Sequence, residues 1–158
     1  FVCVCVQPAA SLRRPPAPTV PHKGGGGVGL PGYAAAGIQG ADGPAVTLTP
    51  NLYQSFIADS GAEISPAKEI YVAMRTGWFS CRSACYLAAG RPVVVEDTGW
   101  SRVLATGRGL LGFSTVDDAA DAIRVVGSDL PGHRRAAAEL AEEVRRYDFA
   151  PAGTRRAS

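Results

Sequence analysis

The sequence predicts an α/β fold in which a parallel sheet is flanked by helices. Three observations predict it. Val93-Val94-Val95, directly after Pro92, is a continuous β-branched run, the pattern of a strand buried on both faces, as in a parallel sheet. Gly109 to Phe113 (GLLGF) is a second short apolar run. Helical patterns lie on both sides of this pair, giving the order helix–helix–strand–strand–helix–helix with short links. That content is too short for two halves of a doubly wound enzyme and matches the C-terminal part of one half.

The elements follow in chain order. Residues 1 to about 45 hold most of the prolines and a GGGG run, and show no period of two or 3.6. Such a segment buries too little apolar surface to offset its ordering entropy, so it is expected to be disordered. Val46 to Leu52 is a short apolar stretch. Ser65-Pro66 has the signature of a helix start, a serine cap with proline in the first turn. Ala67, Ile70, Tyr71 and Met74 then mark one helical face, and Gly77 ends it. A second helix is expected from near Ser80 through Ala84, Cys85, Leu87 and Ala88 to Gly90. The strand at Val93–Val95 and the strand at Gly109–Phe113 come next. Ser114-Thr115 caps a further helix with Asp117 and Asp118 in its first turn, where the dipole favours acids. Its inward face is Val116, Ala119, Ala120, Ile123 and Val126. A last helix is expected from about Gly132 to Val144, with Ala137, Leu140, Ala141 and Val144 inward. From Arg145 onward RRYDFAPAGTRRAS has no apolar face. The organisation expected is therefore a disordered head over 1–45, a folded domain over 46–144, and a disordered tail over 145–158.

Composition narrows the function classes. The chain has 158 residues, 46% of them hydrophobic, and a net charge of +2. Its basic residues are scattered rather than striped, which argues against a nucleic-acid partner. The apolar runs fall well short of the roughly 18 residues of a membrane span. FVCVCV at the start lacks the basic region of a signal peptide. The sequence does not begin with Met, and Met74 is its single methionine, so a fragment or an incomplete gene product is expected. The four cysteines form two close pairs, Cys3/Cys5 and Cys81/Cys85. C-x-C and C-x3-C fit a zinc site poorly, and a disulfide scaffold is out of keeping with so much core-like sequence. No metal site is expected. Free thiols in a reducing cytoplasm are.

Four chemistries deserve weighing. Gly27-Val28-Gly29-Leu30-Pro31-Gly32 matches G-x-G-x-x-G, but no strand precedes it and no helical face follows, as a dinucleotide fingerprint requires. Ser65-Pro66-Ala67-Lys68 matches the S-x-x-K of acylating serine enzymes, yet the accompanying motifs are missing. Cys81 or Cys85 at a helix start has the setting of an activated nucleophile. Neither histidine, His22 or His133, is well placed as its base, and Cys85 reads as a small buried hydrophobe. The fourth is the helix start itself. Ser80, Arg82 and Ser83 sit where unpaired backbone N–H groups favour an anion. Glu96-Asp97-Thr98-Gly99 follows the valine strand at the carboxyl edge, where α/β sheets gather ligands. A phosphorylated ligand fits these residues; plain helix capping with solvated arginines is the alternative.

SPAKEIYVAMRTGWFSCRSACYLAAGRPVVVEDTGW, followed by GRGLLGFSTVDDAADAI, resembles the C-terminal, donor-binding half of a bacterial glycosyltransferase of the two-Rossmann (GT-B) type. The resemblance runs from about Tyr53 to Val144. It implies a partial Rossmann-like fold that binds the nucleotide diphosphate of an activated sugar. The nucleotide sugar is then a substrate, and no cofactor is expected. Such enzymes carry the acceptor-binding half and the usual catalytic base in an N-terminal domain, which this sequence lacks. The donor-binding positions implied are Lys68, Gly77, Trp78, Ser80, Arg82, Ser83, Asp97, Thr98 and Gly99. Lys68 or Arg82 would neutralise diphosphate charge as the leaving group departs. Three positions depart from the pattern. Cys81 stands where aspartate is usual, Trp100 replaces a phenylalanine, and Cys85 occupies the place of the donor-sugar glutamate of retaining enzymes. The composition of both ends fits out-of-frame translation of a GC-rich gene, which the other two reading frames of the source DNA would test. The expectation is a donor-binding glycosyltransferase fragment, inactive by itself. Its rivals are a non-catalytic Rossmann-like binding or assembly module and a non-functional remnant.

Overall fold

The computed structural model describes Cys3–Val6, Gln39–Ala41 and residues 48–148. Five strands form one sheet: β1 (Cys3–Val6), β2 (Gln39–Ala41), β3 (Ala62–Ser65), β4 (Val93–Glu96) and β5 (Leu110–Phe113), in the order β2-β1-β3-β4-β5. β3, β4 and β5 are parallel, with Ile64 opposite Val94 and Val94 opposite Leu111. β1 runs antiparallel to both β2 and β3. The helices are α1 (Pro50–Asp59), α2 (Glu69–Ala73), α3 (Cys81–Ala88), α4 (Val116–Ser128) and α5 (Leu130–Asp148), with a 3-10 turn at Trp100–Arg102. The expected α/β architecture, a parallel sheet with helices on it, is what the chain forms.

Alternation along β4 divides the core. Val93 and Val95 face α1, α3 and α5, and pack with Ile57, Tyr86, Leu87 and Leu140. Val94 faces the other way with Ala62, Ile64 and Phe113, against Ala119, Ala122 and Val126 of α4. All three valines are at most 1% exposed, and full burial of such a side chain is worth roughly 1.5–3 kcal/mol. α4 starts where its sequence places it. Thr115 Oγ1 accepts from the Asp118 N–H at 3.1 Å, and Asp118 Oδ2 accepts from the Thr115 N–H at 3.0 Å, a complete capping box.

Several elements differ from expectation. Ser65 caps no helix; it is the last residue of β3, fully buried and paired with Val95. α2 begins only at Glu69 and buries none of its residues, leaving Ile70 and Met74 58% and 68% exposed. The serine–proline signature has its true counterpart at Thr49-Pro50. There Thr49 Oγ1 accepts from the Leu52 N–H at 3.2 Å and Pro50 opens α1, a helix that the Val46–Leu52 stretch did not announce. α3 turns Ser83, Tyr86 and Leu87 inward. Ala84, Cys85 and Ala88 are exposed, so Cys85 is not the buried hydrophobe its sequence suggested. α5 begins at Leu130 and runs to Asp148, past the expected end at Val144, which is itself 38% exposed. Seven residues of the head, Cys3–Val6 and Gln39–Ala41, are strands of the sheet. The rest of the head, the G-x-G-x-x-G segment included, and residues 149–158 lie outside the described residues.

One close approach is set by a glycine. Gly109 has φ +78°, and a Cβ there would collide with the backbone of Ala136 and Ala137. Only glycine lets β5 enter the sheet directly beneath α5.

Candidate functional site

The carboxyl ends of β3, β4 and β5 lead into the loops that carry the sequence-derived candidates. Lys68 lies in the β3–α2 link, is exposed, and occupies the cap position of α2 without a side-chain capping bond. The link is tied to the next strand, because the Ala67 N–H donates to Glu96 Oε2 at 2.8 Å.

The segment between α2 and α3 is clamped onto the turn after β4. The Gly77 N–H donates to the Thr98 carbonyl at 2.8 Å. In return, the Thr98 hydroxyl donates to the Trp78 carbonyl at 2.6 Å. Thr98 is fully buried, so its hydroxyl is committed to this clamp. Aromatic contacts extend it: Trp78 stacks on Tyr71 with centroids 5.0 Å apart, and Phe79 meets Trp100 edge-on at 5.7 Å. Trp100 is 2% exposed, and its Nε1–H donates to the Glu96 carbonyl at 2.9 Å, a bond that phenylalanine at this position would not make.

The turn itself is organised by Asp97. Its Oδ1 accepts from the Gly99 N–H at 2.8 Å, its Oδ2 from the Ser101 hydroxyl at 2.9 Å, and Arg75 Nη2 stands 3.5 Å away. Burial opposes the charged carboxyl. The bonds from Gly99 and Ser101, with the Arg75 charge, outweigh burial and hold its pKa below the ordinary aspartate range. Gly99 adopts φ +102°, and a Cβ there would press on the Arg75 carbonyl at 3.1 Å. The turn therefore packs its backbone against the α2–α3 segment.

At the start of α3, Ser80 is the cap and its Oγ accepts from the Arg82 N–H at 3.2 Å. The Arg82 side chain turns toward β3. Its Nε donates to Glu63 Oε1 at 2.5 Å and its Nη2 to Ser65 Oγ at 3.0 Å. Glu63 and Ser65 are fully buried, while the Arg82 side chain is 18% exposed. Burial raises the Glu63 pKa; the bond and charge from Arg82, and the nearby Ser83 hydroxyl, offset part of that rise. Glu63 Oε2 and Ser83 Oγ are both buried and form no well-shaped hydrogen bond among the described residues.

The structure thus gathers Gly77, Trp78, Asp97, Thr98 and Gly99 into one bonded unit. Ser80 and Arg82 lie at the start of α3, and Lys68 stays exposed on its own link. Ser83 faces inward. Sequence reasoning placed Glu96 at this edge but not its bond to the Ala67 N–H, and it missed Glu63 and Ser101, which help hold the edge together. Glu63 had one available signal: Ala62-Glu63-Ile64-Ser65 alternates with period two, the mark of a strand. Cys81 and Cys85 are free and exposed on α3. Among the described residues no cluster of three metal-ligating side chains occurs, and no helix is long and apolar enough to cross a membrane. No protein-family model, curated protein or solved structure matches the chain.

Proposed function

We propose that the domain spanning 46–144 is the donor-binding part of a nucleotide-sugar-dependent glycosyltransferase. Its carboxyl edge would receive the donor diphosphate. The supporting observation is that segments separate in sequence meet at one edge of the parallel sheet. Gly77 and Trp78 are bonded to Thr98, next to the turn formed by Asp97 and Gly99. Open α/β sheets take their ligands at this edge. In this reading Lys68 neutralises the diphosphate as the leaving group departs. The Ser80-capped start of α3 supplies backbone N–H groups, and the nucleotide sugar is a substrate of a cytoplasmic protein. In this reading the acceptor is held by a second domain, and donor binding is the part assigned to residues 46–144.

Thermal melting with and without UDP, GDP and dTDP tests the reading. A nucleotide at 100 times its Kd adds about 2.7 kcal/mol, and Lys68→Ala should reduce the shift. A cooperative melt that no nucleotide moves overturns the proposal.

A second reading, a non-catalytic binding or assembly module, is favoured by one observation. Arg82 is engaged by Glu63 and Ser65, and Thr98 by Trp78, so two expected ligand contacts have structural partners. A Lys68→Ala chain that folds and keeps full nucleotide affinity supports this second reading.

A further inference from the structure

Cys81 and Cys85 are one helical turn apart in α3, so they share a face, with Cβ atoms about 5–6 Å apart. Both are free and exposed. The rest of the helix is held inward: Ser83, Tyr86 and Leu87 are buried, and the Arg82 side chain turns away to Glu63 and Ser65. The outward neighbours are Ala84 and Ala88, both exposed, so no large side chain of α3 screens the two sulfurs.

Two thiols at this spacing are matched to one ion rather than to each other. A disulfide needs Cβ atoms about 3.5–4.5 Å apart, closer than a regular helix brings them. A thiolate–metal bond of roughly 2.3 Å, as with zinc, sets two sulfurs on opposite sides of an ion about 4.6 Å apart, which both side chains can span. Structural zinc takes four ligands, and among the described residues no group of three metal-ligating side chains occurs. The fit is therefore an ion satisfied by two thiolates, and soft sulfur ligands select cuprous copper. We propose that Cys81 and Cys85 form a two-thiolate site for a cuprous ion on the outer face of α3. On binding, two S–H bonds break, two Cu–S bonds form, both protons pass to solvent, and copper stays monovalent. Neither cysteine has a part in the diphosphate reading of the carboxyl edge, so the site stands independently of it.

The test is thiol protection in the whole chain without oxygen. Cuprous ion is titrated in as its acetonitrile complex against the competing chelator bicinchoninate, and brief iodoacetamide treatment and tryptic peptide mapping follow. Cleavage after Arg75, Arg82 and Arg91 puts Cys81 and Cys85 on different peptides, so each is read separately and apart from Cys3 and Cys5. Both peptides should gain protection together, at the same copper concentration. Cys81→Ser should abolish the protection of Cys85, and Cys85→Ser that of Cys81, because a second ligand held on the same scaffold strengthens binding by at least about 100-fold. Cys85→Ser combined with Ala88→Cys keeps two thiols on one face but sets them about 10.5 Å apart along the axis, and should give no joint protection. The proposal is overturned if one peptide alone is protected, if protection is confined to Cys3 and Cys5, or if none appears. A respaced variant that binds as tightly as the unmodified chain overturns it as well. Mapping of the unmodified chain decides the matter even if a variant fails to fold.

Discussion

Arg82 Nε and Glu63 Oε1 are 2.5 Å apart, and the glutamate is fully buried between β3 and α3. This pair fastens the start of α3 to the sheet. The two partners are not equivalent, because Glu63 has no access to water while Arg82 retains 18% exposure. Arg82→Ala strands a buried carboxylate and should cost about 3–5 kcal/mol. Arg82→Leu combined with Glu63→Leu should cost clearly less than the single change, since no charge is left uncompensated. Urea denaturation of the variants checks the order. A double variant that loses as much stability as Arg82→Ala, or more, would contradict this.

His133 predicts a pH dependence. It is 3% exposed, and its Nδ1 accepts from the Gly109 N–H at 3.2 Å, which requires the neutral ring. Burial lowers its pKa below the ordinary 6.5; the Arg108 charge adds to this and Asp129 opposes it. The unfolded chain therefore binds the proton more readily than the folded one. The His133 contribution is complete above pH 6.5, declines as pH falls below that value, and levels off under the depressed folded pKa. His133→Gln should flatten this limb in denaturation curves measured across that range. A wild-type chain whose stability does not fall on acidification through this window contradicts the assignment.

Gly109 and its neighbour Gly107 separate backbone strain from steric collision. Both have positive φ, +78° and +120°, but a Cβ at Gly107 meets nothing within 4 Å. Alanine at either position carries roughly 1–3 kcal/mol of backbone strain. Gly109→Ala must also displace α5, so it should be the more destabilising by several degrees in Tm. Similar melting temperatures for the two variants would mean that α5 yields at no cost.

Cys85 and Cys81 are both exposed. Each should be alkylated in the native state, as peptide mapping by mass spectrometry after brief iodoacetamide treatment would show. Labelling of Cys85 only in denaturant would restore the buried position its sequence suggested.

Some of this protein was legible in its sequence, where the local signal and the tertiary outcome agree. The valine run Val93–Val95 became a strand buried on both faces, and Thr115 with Asp118 formed the capping box. In both cases the determinants lie within a few adjacent residues. The positions of Gly77, Trp78, Asp97, Thr98 and Gly99 along one edge also follow from strand order, because loops after parallel strands converge on the carboxyl side. Their mutual bonds did not follow. The Thr98 hydroxyl reaches Trp78 across 20 positions of the chain, and no local pattern encodes such a contact.

Thr49-Pro50 and Ser65-Pro66 show the limit most directly. Both pairs carry the same helix-start signature, and only the first opens a helix. Ser65 is held in the ladder opposite Val95, so pairing with β4 overrides the local preference for a cap. Glu63 follows the same rule. A glutamate in a short apolar stretch looks solvent-facing until Arg82, 19 residues later, is folded over it. The sequence alone determined the class of fold, the parallel strands and the α4 cap, because these depend on periodicity and nearest neighbours. Only the tertiary structure decided which serine caps, which carboxylate is buried and that Cys85 is exposed, because each depends on what distant residues place against it.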